Sequence, residues 1–170
     1  MASRDGTLGH LYSCCDAIYR SLGEAAPKFT NDTFVVRLHG AARSFGSLAL
    51  LMRTHLNEPA PPPLTIIEAV LNRATTSDAS GATSLYAMIA VVGPRLLVTL
   101  RDARAASGDD HDLHDLIDVA AQATVRELHL LAEVSHYEFD GDDVARQATA
   151  RNLVEMCEVA GHADSWGLSR

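Results

Sequence analysis

A chain of 170 residues, 47% of them hydrophobic, is long enough to bury a core and short enough to form one domain over residues 1–170. Its net charge of −8, with Lys28 the only lysine and no run of basic residues, argues against nucleic acid as a partner. Aromatic residues make up only 5%, so the core must come mainly from Ala, Leu and Val, a composition that favours an all-helical fold.

Residues 6–22 carry Leu8, Leu11, Tyr12, Cys15, Ile18, Tyr19 and Leu22 at spacings of three and four. That pattern predicts one apolar face on an amphipathic helix, stopped by Gly23 and followed by Pro27. Asn31, Asp32 or Thr33 can cap the next helix. It is predicted from Phe34 to Leu56, with Phe34, Leu38, Ala41 or Ala42, Phe45, Leu48, Leu51 or Met52 and Leu56 as its stripe. Gly40 and Gly46 weaken it by up to ~1 kcal/mol each relative to alanine, and a bend or break is expected near Gly46.

Asn57–Pro63, NEPAPPP, ends any helix and reads as a stiff extended loop. A short helix follows from Thr65, with Ile66, Ile67, Val70 and Leu71 inward, and then a polar loop over residues 75–83. Ser84 caps the stretch that organises the chain, Ser84–Ala106. Its apolar residues point in every direction, which predicts a helix buried all round in the core. The run is too short for a bilayer, which needs roughly 20 apolar residues. Gly93-Pro94 within it predicts a kink or a break into two helices. After a turn over Ser107–Asp110, a long helix from Asp112 to Val134 shows a stripe of Leu113, Leu116, Ile117, Ala120, Ala123 or Thr124, Leu128 and Leu131. A turn at Asp140–Asp142 leads to a last helix, Asp143–Val159, and Trp166 is expected to fold back on the core.

Cys14, Cys15 and Cys157 make an odd count, and adjacent cysteines do not readily bridge. They read as buried reduced thiols of an intracellular protein, in keeping with an opening stretch that lacks a signal-peptide pattern. Several pairs have metal-ligand spacing without a full ligand set. Glu133 and His136 form one E-x-x-H pair where a di-iron bundle needs two. His111 and His114 lie among Asp109, Asp110, Asp112 and Asp115, which reads first as a charged helix start. The run Asp140–Asp143 lacks the later ligands of a calcium loop. His39 or His129 are the histidines for a haem reading, against which the scarcity of aromatics counts. No nucleophile elbow or phosphate-cradling glycine loop appears, and Ser13 and Ser44 have no base nearby in sequence. The expectation is a non-catalytic protein with no cofactor.

The helix order over about residues 8–160 resembles the Bcl-2 family, most closely its divergent viral members of poxvirus and herpesvirus type. In Leu38–Phe45, LHGAARSF, two apolar residues seven apart flank a small one, Ala42, as in the family's BH-three pattern; Arg43 stands where the family has Asp. The stretch from Ile66 to Val92 resembles the helix-loop-helix around the BH-one motif, with Ser84-Leu85-Tyr86-Ala87 at the place of its Asn-Trp-Gly-Arg run. The DGDDVARQ segment faintly resembles the turn into the BH-two helix.

The resemblance implies a single-domain bundle of six to seven helices around a central hydrophobic helix. It implies a groove that takes amphipathic BH-three helices of pro-apoptotic host proteins, walled by Phe45, Leu48, Met52, Leu56, Val70, Leu71, Leu85, Tyr86 and Ile89. The place of action would be the host cytoplasm or the mitochondrial outer membrane surface. Membrane attachment would need a further C-terminal tail, and a second copy of the chain is another partner it allows. Some poxviral relatives instead keep a closed groove and block signalling towards nuclear factor kappa B through other faces, and the missing Arg suits that version. A reading of another class is a bacterial helical sensor or ligand-binding domain.

Overall fold

The computed structural model describes residues 3–61 and 92–134. Four α-helices occupy these residues: α1 (Arg4–Ala25), α2 (Asp32–Thr54), α3 (Gly93–Ala106) and α4 (His111–Val134), with a 3-10 turn at Ala26–Lys28. No strand occurs among the described residues. The expected short helix from Thr65, the first part of the central helix, the last helix at Asp143–Val159 and Trp166 lie outside the described residues.

Helix α1 begins where Ser3 caps it, its hydroxyl accepting from the Gly6 N–H at 3.0 Å. It passes through Gly23, the expected stop, and ends at Ala25. Pro27, which lacks the N–H an α-helical ladder needs, then sits in the 3-10 turn. The Phe29 and Phe34 rings meet edge-on at 4.6 Å across the connection to α2. Asn31 is the cap that α2 uses; its Oδ1 accepts from the Phe34 N–H at 3.1 Å.

Of the bend or break expected near Gly46, the break does not occur: α2 runs unbroken through both glycines. The reason lies across the helix pair. A Cβ on Gly46 would stand 3.0 Å from Cδ2 of Tyr19, so the missing side chain is the hollow that receives the tyrosine ring. A similar fit holds the following loop. A Cβ on Gly9 would lie 3.2 Å from Cγ of Pro61, and Asn57 donates to Asp5 at 3.3 Å, so the start of the proline segment lies against α1.

Helix α3 starts at Gly93 with Pro94 in its first turn, where a missing N–H costs nothing. The kink or break expected at Gly93-Pro94 falls where the helix changes type, since Val92 just before it is in a π-helical turn with right-handed helical dihedrals. Glycine is required there by packing: a Cβ at Gly93 would stand 2.6 Å from both methyls of Leu128, a fully buried side chain. The picture of a rod buried all round does not hold for this part. Leu96, Leu97 and Leu100 are buried, Val98 and Thr99 are half-buried, and Arg95 and Asp102 face outward. Helix α3 is amphipathic; α1, where Leu8, Leu11, Cys15, Ala17 and Ile18 are at most 1% exposed, is packed more deeply, and so is α4, where Ile117, Ala120, Ala121, Val125, Leu128 and Leu131 are.

Gly108, at φ 59°, takes the left-handed turn between α3 and α4. Asp110 then caps α4, accepting from the Leu113 N–H at 3.0 Å, and pairs with Arg4 at 3.1 Å, so the first turns of α1 and α4 are tied together. The most extensive interface joins α1 to α2; α4 then packs on both α2 and α3. One apolar cluster runs through all four helices. Each large side chain taken out of water there contributes roughly 1.5–3 kcal/mol. Among the described residues no helix is long and apolar enough to cross a membrane.

Candidate functional site

Of the nine residues expected to wall a ligand groove, four lie among the described residues, all on the α2 stripe. Phe45 is 0%, Met52 1% and Leu48 6% exposed, each within the apolar cluster shared with the other helices. Leu56, just past the end of α2, is half-buried and packs against the edge of that cluster. The expected wall residues within α2 are therefore in the core, and of the four described ones only Leu56 emerges. Val70, Leu71, Leu85, Tyr86 and Ile89 lie outside the described residues. The LHGAARSF segment turns its pattern residues the same way: Leu38 and Ala42 are buried with Phe45. Arg43 is exposed and donates to the His39 carbonyl at 3.4 Å.

The most tightly built polar group was not apparent from motifs. Glu127 on α4 is 2% exposed, in the middle of an apolar interface. Its Oε2 accepts from Arg37 at 2.6 Å, and its Oε1 accepts from the Ser44 hydroxyl at 2.8 Å and from Arg126 at 3.2 Å. Arg37 and Ser44 are two turns apart on one face of α2, and together they hold the carboxylate that α4 inserts between them. Chemically this is a lock. The serine has a carboxylate partner, but Arg37 and Arg126 bind the same carboxylate, so its oxygens are already engaged in holding the two helices together.

The other polar candidates are dispersed. His39 is exposed on α2, and His129 is exposed on α4, where it pairs with Glu133 at 3.1 Å. The His111 and His114 rings meet edge-on at 6.1 Å. Among the described residues no three His, Cys, Asp or Glu side chains gather in a metal-holding arrangement. His136, Cys157 and Asp140–Asp143 lie outside the described residues.

Cys14 and Cys15 are free thiols buried in α1. Burial pushes the Cys14 thiol up to about 11. The Cys15 thiol is raised in the same direction, by burial first and then by the charges of Cys14 and Asp16. An unfolded thiol ionises near ~8.5. Between that value and about 11 the folded chain keeps the Cys14 proton while the unfolded chain has lost it. The unfolded state then binds fewer protons, so stability falls as pH rises through this window. We predict a loss of about 2–3 kcal/mol from Cys14 between pH 8 and 11, read as a falling urea midpoint. Cys14→Ser and Cys15→Ser should both flatten that slope, and an unchanged slope in both variants would exclude the thiols as its source.

No protein-family model, curated protein or solved structure matches this chain.

Proposed function

We propose that the protein is a non-catalytic helical interaction protein of Bcl-2-like type, working inside a host cell in the closed-groove manner, by binding signalling proteins through its outer faces. The observation that carries the closed-groove form is the burial of Phe45 and Met52, at 0% and 1% exposure. A ligand helix gains affinity by taking apolar surface out of water, and surface already buried on folding has none left to give. Ordering a disordered peptide costs ~2–5 kcal/mol. That cost is met easily by four fresh anchors at ~1.5–3 kcal/mol each, and among the described wall residues only Leu56 keeps part of its surface to offer.

A second reading keeps the groove and has it capture pro-apoptotic BH-three helices at the mitochondrial surface. It is favoured by Leu56, where the α2 stripe comes partly into the open. Two measurements separate the readings. Titration with fluorescent peptides from pro-apoptotic helices should show no saturation tighter than about 100 µM, while expression of the chain should lower a nuclear factor kappa B reporter. Submicromolar peptide binding would turn the assignment to helix capture. A reporter that stays at its full level would remove the signalling reading.

A further inference from the structure

The seam between α1 and α2 is open on one side. Tyr12, Asp16 and Tyr19 of α1 face Arg43, Gly46, Ser47, Ala49, Leu50 and Arg53 of α2 across a cleft of about 440 Å³. The apolar part of its surface is held out to solvent. Tyr19 is 43% and Leu50 65% exposed, and both are among the few large hydrophobic residues left in the open among the described residues. Tyr19 is also fixed in place, because its ring rests in the hollow at Gly46.

The charge around this cleft runs against that of the whole chain, which is −8. Asp16, the one carboxylate among its described lining residues, is matched by Arg20 at 2.9 Å. That leaves the guanidinium groups of Arg43 and Arg53, and neither has a carboxylate partner among the described residues. They stand ten residues apart on one helix, so they mark points roughly 15 Å from each other along the α2 wall. Leu50 lies between them.

We infer that the α1–α2 cleft is a docking surface for an acidic amphipathic helix of a partner protein, which lays two carboxylates eleven residues apart on Arg43 and Arg53 and an apolar pair between them on Tyr19 and Leu50. Eleven residues return a helix to the same face after three turns, a rise of about 16.5 Å, which matches the arginine spacing. Charge complementarity favours this occupant: a second copy at −8 meets far more long-range repulsion than a short helix whose two carboxylates lie directly on the two arginines. The inference is independent of the Bcl-2-like reading and uses a different face from the expected groove.

The test uses the full chain and a 16-residue fluorescein-labelled alanine-based helical peptide. It carries two glutamates eleven residues apart and two leucines between them on the same face. A scrambled peptide of identical composition is the control. We expect saturable anisotropy with the patterned peptide only, weakening as salt is raised. The double variant Arg43→Glu, Arg53→Glu should lower affinity about tenfold and should prefer a peptide with lysines in place of the glutamates. Arg43→Gln with Arg53→Gln and, separately, Leu50→Ala provide milder substitutions at exposed positions, with thermal melts reporting folding. Equal binding of the scrambled peptide, or full affinity in the folded arginine variants, overturns the proposal. So does a homodimer in sedimentation that the same variants disperse, since the occupant is then a second copy.

Discussion

Replacing Glu127 by alanine is expected to destabilise the fold by about 3–5 kcal/mol, the range for removing one partner of a buried ion pair. The loss is more than two hydrogen bonds. Arg37 is only 28% exposed in its side chain, and without Glu127 it keeps a guanidinium charge in a low-dielectric interface. The Ser44 hydroxyl also loses its acceptor. Arg126, whose side chain is 65% exposed, contributes little, because a solvated pair of this kind is worth ~0–1 kcal/mol. Glu127→Gln should recover part of the loss, since the amide oxygen can accept from Ser44 while the amide nitrogen faces Arg37 as a second donor. The informative variant is the double change, Glu127→Leu with Arg37→Met. With both charges gone and the volume kept, it should melt within about 1.5 kcal/mol of the parent. A double variant as unstable as Glu127→Ala would show that packing around the carboxylate, not its charge, holds α4 on α2.

The helices themselves were largely legible in the sequence. The three-and-four spacing from Leu8 to Leu22 and from Leu113 to Leu131 marks apolar faces that the structure largely buries, although Tyr12 of the first is half-buried and Tyr19 is 43% exposed. Their ends were less legible, because they are set by which polar residue folds back. Asn31 caps α2 although Asp32 and Thr33 are equally good acceptors, and Asp110 caps α4 two residues before the expected start. Gly46 shows the limit of local reasoning. Propensity assigns a lone glycine the same weakness everywhere, while the ring that makes this one useful comes from Tyr19 on another helix. Glu127 did leave a trace. It falls seven residues after Ala120, three after Thr124 and four before Leu131, on the buried side of α4. A charge in such a position implies a buried counter-charge. Its partner, Arg37, lies 90 residues earlier, a separation that no local pattern spans. In α3 the apolar run overstated burial, since Val98 is half-buried and Arg95 and Asp102 face outward.

Phe45→Ala should likewise cost about 3–5 kcal/mol, the range for truncating a buried phenylalanine. Its side chain is fully buried among residues of one cluster shared by all four helices, so the cavity cannot be closed by moving a single loop. The same substitution bears on function. A residue that lines an open groove is partly solvated before its ligand arrives, and truncating it mainly lowers affinity. A residue already in the core does the reverse: truncation lowers the melting midpoint and changes affinity only through the fraction of folded chain. Leu56→Ala is the natural companion, because Leu56 is the one described member of the expected wall that is half-buried. It should cost no more than about 1–2 kcal/mol. Measured together by urea unfolding and peptide titration, the two variants separate the roles along one helix. A Phe45→Ala protein that keeps its unfolding midpoint would place that ring in a ligand site and reopen helix capture. A large loss at Phe45 beside a small one at Leu56 fits a stripe used up by the fold along α2.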